Sequence, residues 1–104
     1  MTGKYDLALK DLDEAIRLDP RYADAYNNRA WAYVKSGQAA KGLPDAERAV
    51  ALNPKDADYR DTRGQIFEAL GRRAEAIRDY RAALKLDPKY TDSRERLRKL
   101  GVTP

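Results

Sequence analysis

At 104 residues the chain has room for one small domain or a section of a larger array. It contains neither cysteine nor histidine, which excludes disulfides, Cys/His zinc sites, thiol nucleophiles and every histidine-dependent triad or general base. The net charge is +4, but lysines and arginines are interleaved with acids along a chain that is 37% charged. That pattern predicts a solvated, ion-paired surface, with a nucleic-acid footprint as the minor alternative.

Residues 3–20, GKYDLALKDLDEAIRLDP, predict the first helix, with Tyr5, Ala8, Leu9, Leu12 and Ile16 as its apolar side. The opening MTGKYDLALKDLDE is charged throughout, unlike a signal peptide, and no run of 18 apolar residues exists to span a membrane. A cytoplasmic location is the expectation. The next pattern, ADAYNNRAWAYVKSG, places Tyr26, Ala30 and Tyr33 on one helix face and ends at Gly37, a left-handed cap that glycine adopts cheaply. GQAAKGLPDAERAVALNP follows at 37–54 and repeats the opening stretch. ADYRDTRGQIFEALG then repeats the second pattern, and GRRAEAIRDYRAALKLDP repeats the first again, with Ala76, Ile77, Tyr80, Ala83 and Leu84 as its apolar stripe. The last segment, TDSRERLRKL, is one more copy of the second pattern.

The step between copies is 34 residues. It relates Gly3, Gly37 and Gly71; Asp11, Asp45 and Asp79; Ala15, Ala49 and Ala83; Leu18, Leu52 and Leu86; and Pro20, Pro54 and Pro88. The prolines stop each second-type helix, since proline lacks an N–H and disfavours helix in the residue before it. Asp24, Asp58 and Asp92 fall in the first turn of the helices that follow, where a negative charge meets the positive end of the dipole.

These positions resemble the tetratricopeptide repeat, whose period is 34 residues. The resemblance rests on Ala30 and Gly64, the aromatics Tyr33 and Phe67 after them, Gly37 and Gly71, Ala49 and Ala83, and the prolines. Asn28-Arg29-Ala30 and Thr62-Arg63-Gly64 resemble a bacterial subtype with an Asn-Arg-Gly signature. The resemblance implies an all-α, right-handed α-α superhelical solenoid of about six helices, beginning with a second (B) helix. Residues 1–22 would be a half repeat, 23–56 and 57–90 full repeats, and 91–104 a first-type (A) helix with a tail, all in one solenoid domain. It also implies a protein-interaction scaffold without catalysis, cofactor or metal, holding a peptide or helix of a partner in a concave groove. Three departures stand out. Arg60 and Arg94 occupy the site of Tyr26. Gly42 and Pro44 interrupt a second helix, predicting a kink or a late start near Leu43, with a hinge as the alternative. The final helix has no partner after it.

Arg29 and Arg63 are expected to pair with the aspartate series Asp11, Asp45 and Asp79, because a planar guanidinium suits a semi-buried carboxylate. The stripe Asp24, Asn27, Trp31, Val34, with Lys35 beside it, is expected to line the groove, continued by Asp58, Asp61, Gln65 and Glu68 and by Asp92, Glu95 and Lys99. Trp31 is either a peptide anchor or a side chain packed between repeats. Helix starts account for Asp24, Asp58 and Asp92, so Asp61, Glu68 and Glu95 carry the hint of a basic or Arg-containing peptide. The family's clamp for acidic C-terminal peptides needs lysines where Asp58 and Asp92 stand, so chaperone-tail binding is expected to be absent. The unpaired ends predict a second role. Either the chain is the C-terminal piece of a longer array with a frayed end, LRKLGVTP, or one copy's last helix docks on the next copy's first through Tyr5, Leu9, Leu12, Ile16, Leu97 and Leu100.

Overall fold

The computed structural model describes residues 3–104; Met1 and Thr2, the start of the expected 1–22 half repeat, lie outside the described residues. The described residues form six helices: α1 Gly3–Leu18, α2 Ala23–Lys35, α3 Ala39–Leu52, α4 Ala57–Ala69, α5 Arg73–Leu86 and α6 Thr91–Lys99. The architecture is the expected helical solenoid. Each helix packs on the next, and α2 also packs on α4, so the A-type helices form an inner wall and α1, α3 and α5 an outer one.

Local chemistry sets the boundaries. Gly37 and Gly71 both take φ +77°, and Gly101 takes φ +78° to stop α6 in the same way. That third stop was not anticipated from the sequence. The tail beyond it is tied down rather than frayed. Val102 N–H donates to the Leu97 carbonyl, and the Val102 side chain packs on the core. Arg81 donates to the Thr103 carbonyl and Arg73 to that of Leu100. At the other helix ends, Asp56 caps α4 by accepting from the Tyr59 N–H, and Asp24, Asp58 and Asp92 sit in first turns.

The core among the described residues is three small clusters, each where three successive helices meet. Ala30, Ala46 and Ile66 form one; Ala49, Val50 and Tyr59 another; Phe67, Ala76, Tyr80 and Leu97 the third. Across each helix pair, volumes trade. Ala30 meets Ala46, whereas Gly64 meets Tyr80, whose ring lies where a side chain at Gly64 would be. α3 does not start late. It runs unbroken from Ala39 with Pro44 exposed inside it. Gly42 is buried against the Ala30 backbone, with room for no more than a tight Cβ, 3.0 Å from the Ala30 carbonyl oxygen. It permits close helix approach rather than loosening the turn.

Candidate functional site

The inner wall carries the site. Arg29 forks Asp45 at 2.7 Å through Nε and Nη2 and reaches Asp13 at 2.9 Å through Nη1. Arg63 forks Asp79 at 2.8 Å through both nitrogens. Both arginines therefore lock an A helix to the B helix of its own repeat and take no part in the groove. Asp45 raises the Arg29 pKa further above the usual arginine range, and Asp79 does so for Arg63.

Two hollows of about 240 Å³ lie along the inner wall. The first is bounded by Val34, Gln65, Glu68, Ala69 and Arg96. The second is formed by α2, α4 and α6, with Trp31, Asn28, Asp58, Gln65, Asp92 and Arg96 among its walls. Trp31 is 43% exposed. Tyr5 of α1 packs on its edge at 6.3 Å, and the Lys35 ammonium lies 5.5 Å from its ring centre, yet the indole still faces the groove.

The structure redistributes the expected acids. Asp61 is 1% exposed and fully engaged: it accepts from Ser93 Oγ at 2.6 Å, Gln65 Nε2 at 2.8 Å and Arg96 Nε at 3.2 Å. Glu68 accepts from the Tyr80 hydroxyl at 2.7 Å, and Glu95 pairs with Arg98 at 2.9 Å away from both hollows. Asp58 and Asp92 line the second hollow beside Asp61. Asp58 is held by the Tyr90 hydroxyl at 2.7 Å and Asn27 Nδ2 at 3.2 Å. Asn27 itself is buried, and its Oδ1 accepts no hydrogen bond among the described residues. Burial, followed by the Asp58 carboxylate, pushes the Tyr90 phenol well above its usual range, so it stays a donor. Asp24, one repeat before Asp58, accepts from a tyrosine too, Tyr59, which stands at the repeat position of Ser93 rather than of Tyr90.

Arg96, Asn28 and Tyr90 were missed from the sequence. Arg96 stands four residues after Asp92, hence on the same face of α6, and that spacing is the signal that could have found it. Among the residues expected to drive self-association, Leu97 is corrected: it is 0% exposed, packed against Phe67, Ala76 and Tyr80. Leu100 is partly covered on the same cluster, whereas Tyr5, Leu9, Leu12 and Ile16 keep part of their surface. Tyr5 and Leu12 line a further, mainly apolar hollow of about 400 Å³ between α1 and α2. Among the described residues no group of His, Cys, Asp and Glu could hold a metal ion, and no helix is long and apolar enough to cross a membrane.

Comparison with known proteins agrees with this geometry. A family model described as TPR repeat matches residues 2–37, and one described as tetratricopeptide repeat matches residues 27–91. No curated protein sequence matches the chain. The first TPR domain of human RPAP3 is 33% identical with a TM-score of 0.91, covering 95% of this chain and 78% of that one. The first TPR of Spaghetti (RPAP3), bound to the HSP90 peptide SRMEEVD, is 33% identical with a TM-score of 0.90, over 95% and 79% of the two chains. The Arabidopsis OM64 TPR domain is 31% identical with a TM-score of 0.84, over 93% and 83%. A 34-residue period with glycine and proline stops, six stacked helices and matching family models over most of the chain lead to one conclusion: the chain belongs to the tetratricopeptide repeat family.

Proposed function

We propose that the chain is a non-catalytic interaction module that takes a peptide or helix of a partner along its inner wall. Trp31 is the anchor, and a basic residue of the partner sits against Asp58 and Asp92. One observation carries this reading: an exposed tryptophan borders a hollow whose walls hold three carboxylates, Asp58, Asp61 and Asp92, and one guanidinium, Arg96. Arg96 pairs with Asp61 at 3.2 Å, and neither Asp58 nor Asp92 has an ion-pair partner among the described residues. A lysine or arginine there gains Coulomb attraction and stacking on an indole face. The Spaghetti domain holds a peptide ending in acids. Asp58 and Asp92 would repel such a peptide here, so the two groove chemistries differ. Val34, Lys35, Gln65 and Glu68 extend the contact surface beyond the anchor.

The test is a fluorescence titration of Trp31, the sole tryptophan, with basic peptides, neutral peptides and SRMEEVD. Basic peptides are expected to bind, and Asp92→Lys to weaken them about tenfold or more. Trp31→Ala, followed by anisotropy of a labelled peptide, is expected to weaken every binder. Equal affinity for the acidic peptide, or binders indifferent to both substitutions, would refute the reading.

A further inference from the structure

Arg63 and Arg72 each meet a carboxylate and an aromatic ring at once. Arg63 forks Asp79 and lies over the Phe67 ring, 5.9 Å from its centre. Arg72 forks Glu75 and covers the same ring at 4.7 Å. A guanidinium suits such a seat because it is planar, weakly hydrated and carries its donors in a fixed fork. The hollow between α2, α4 and α6 offers a ring and a carboxylate of the same kind, Trp31 and Asp58. Asp58 is held by neutral donors on both oxygens: the Tyr90 hydroxyl on Oδ1 at 2.7 Å and Asn27 Nδ2 on Oδ2 at 3.2 Å. Those two bonds fix the carboxylate's orientation and leave acceptor capacity on each oxygen, since an ionised carboxylate has about four lone-pair sites. Asp45, Asp61 and Asp79, by contrast, each meet an arginine within the fold. A second, independent feature lies in the same wall. Asn27 is 5% exposed, and its Oδ1 has no donor among the described residues, a buried acceptor that a bound N–H would satisfy.

We propose that this hollow reads one unmethylated arginine of the partner. The proposal rests on the groove reading above and narrows it from a basic residue to a single side chain. The guanidinium forks Asp58, its plane lies on the Trp31 indole, and a further N–H turns to Asn27 Oδ1. Asp92, in the same wall, adds a second negative charge. Lysine brings equal charge but no fork, and its strongly hydrated ammonium gains less from a ring face in an open hollow. Methylation of the arginine keeps the charge and removes donors from the fork, so it weakens binding in a way that charge alone does not. Arg96, the cation already in the wall, does not take the seat, because its Nε is held on Asp61 at 3.2 Å.

The probes are three acetylated and amidated pentapeptides, alanine throughout except for arginine, lysine or symmetric dimethylarginine at the centre. Two-dimensional NMR of the full chain follows the Trp31 indole N–H and the Asn27 side-chain amide as each peptide is added up to millimolar concentration. The arginine peptide is expected to saturate and to move both signals. The other two should bind ~10-fold more weakly and leave the Asn27 amide in place. Asp58→Asn keeps the shape of the side chain and removes its charge, and should bring arginine down to the level of lysine. Asp58 is exposed, so this variant is expected to keep the wild-type melting curve, and the comparison of peptides on the unaltered chain does not depend on it. If arginine binds no better than either of the other two, or if its advantage survives Asp58→Asn, the arginine assignment is overturned while the groove reading stands. Saturation by none of the three overturns both.

Discussion

Gly64→Ala tests how α4 and α5 meet, and therefore what holds the inner wall in place. A Cβ added at Gly64 would lie 2.5 Å from Tyr80 Cε1 and 2.8 Å from Cδ1, against ~3.5–4.0 Å for a comfortable carbon contact. The ring cannot retreat. Tyr80 is 0% exposed, packed with Phe67, Ala76 and Leu97, and its hydroxyl is tied to Glu68. Overpacking of this kind costs ~1–3 kcal/mol. Alanine returns ~1 kcal/mol of helix propensity over glycine, so the net loss is ~2 kcal/mol at most. For a chain of this size that is a fall in Tm of up to ~9 °C. The assay is urea unfolding followed by far-UV circular dichroism, where the midpoint should drop while the slope stays constant. The same substitution in a Tyr80→Leu background should be neutral or stabilising, because the ring edge is gone and only the propensity gain remains. If Gly64→Ala raises the midpoint of the wild-type chain, or acts equally in both backgrounds, the ring does not rest on the α4 backbone and the size-pairing argument fails.

Two further outcomes follow from the polar locks. Arg63→Ala strands the Asp79 carboxylate, whose side chain is 5% exposed, and should cost ~2–4 kcal/mol, reduced from the fully buried case because the guanidinium is one-fifth exposed. Arg63→Leu with Asp79→Leu should recover most of that in urea melts, whereas Arg98→Ala, which breaks an exposed pair, should change stability by less than ~0.5 kcal/mol. Stability should also fall in alkali. Burial, followed by the carboxylates Asp24, Glu68 and Asp58, raises the phenols of Tyr59, Tyr80 and Tyr90 above the usual range. Raised pKa values leave this contribution whole below the unfolded tyrosine pKa of ~10 and remove it as pH climbs beyond that value. Absorbance titration should show three of the seven tyrosines ionising only as the fold is lost, and a Tm that does not fall between pH 9 and 11 would contradict it.

The solenoid was legible in the sequence because its stops are local chemistry. Glycine at φ +77° and proline after an acid or asparagine carry their meaning without a neighbour. The groove was less legible because burial there is decided from a distance. Asp58 and Asp61 are three residues apart on one helix, and both read as inner-wall acids. Ser93 and Arg96, from α6, close over Asp61 and leave Asp58 at the rim. All three acids line one hollow, but Asp61 meets Arg96 within the fold, whereas Asp58 and Asp92, each in a helix's first turn, have no ion-pair partner among the described residues. Gly42 misled in the opposite direction. Alone, it is a weak helix residue; beside the Ala30 backbone, it is the only kind of residue that fits without crowding. Leu97 and Arg98 make the same point on α6: they stand 34 residues after Arg63 and Gly64, and Leu97 is buried in the core rather than forking an aspartate. In a stack of near-identical helices the informative unit is the pair of facing positions. A substitution at one member has a definite sign only once the other is known, which is why Gly64→Ala is expected to change sign with the residue at position 80.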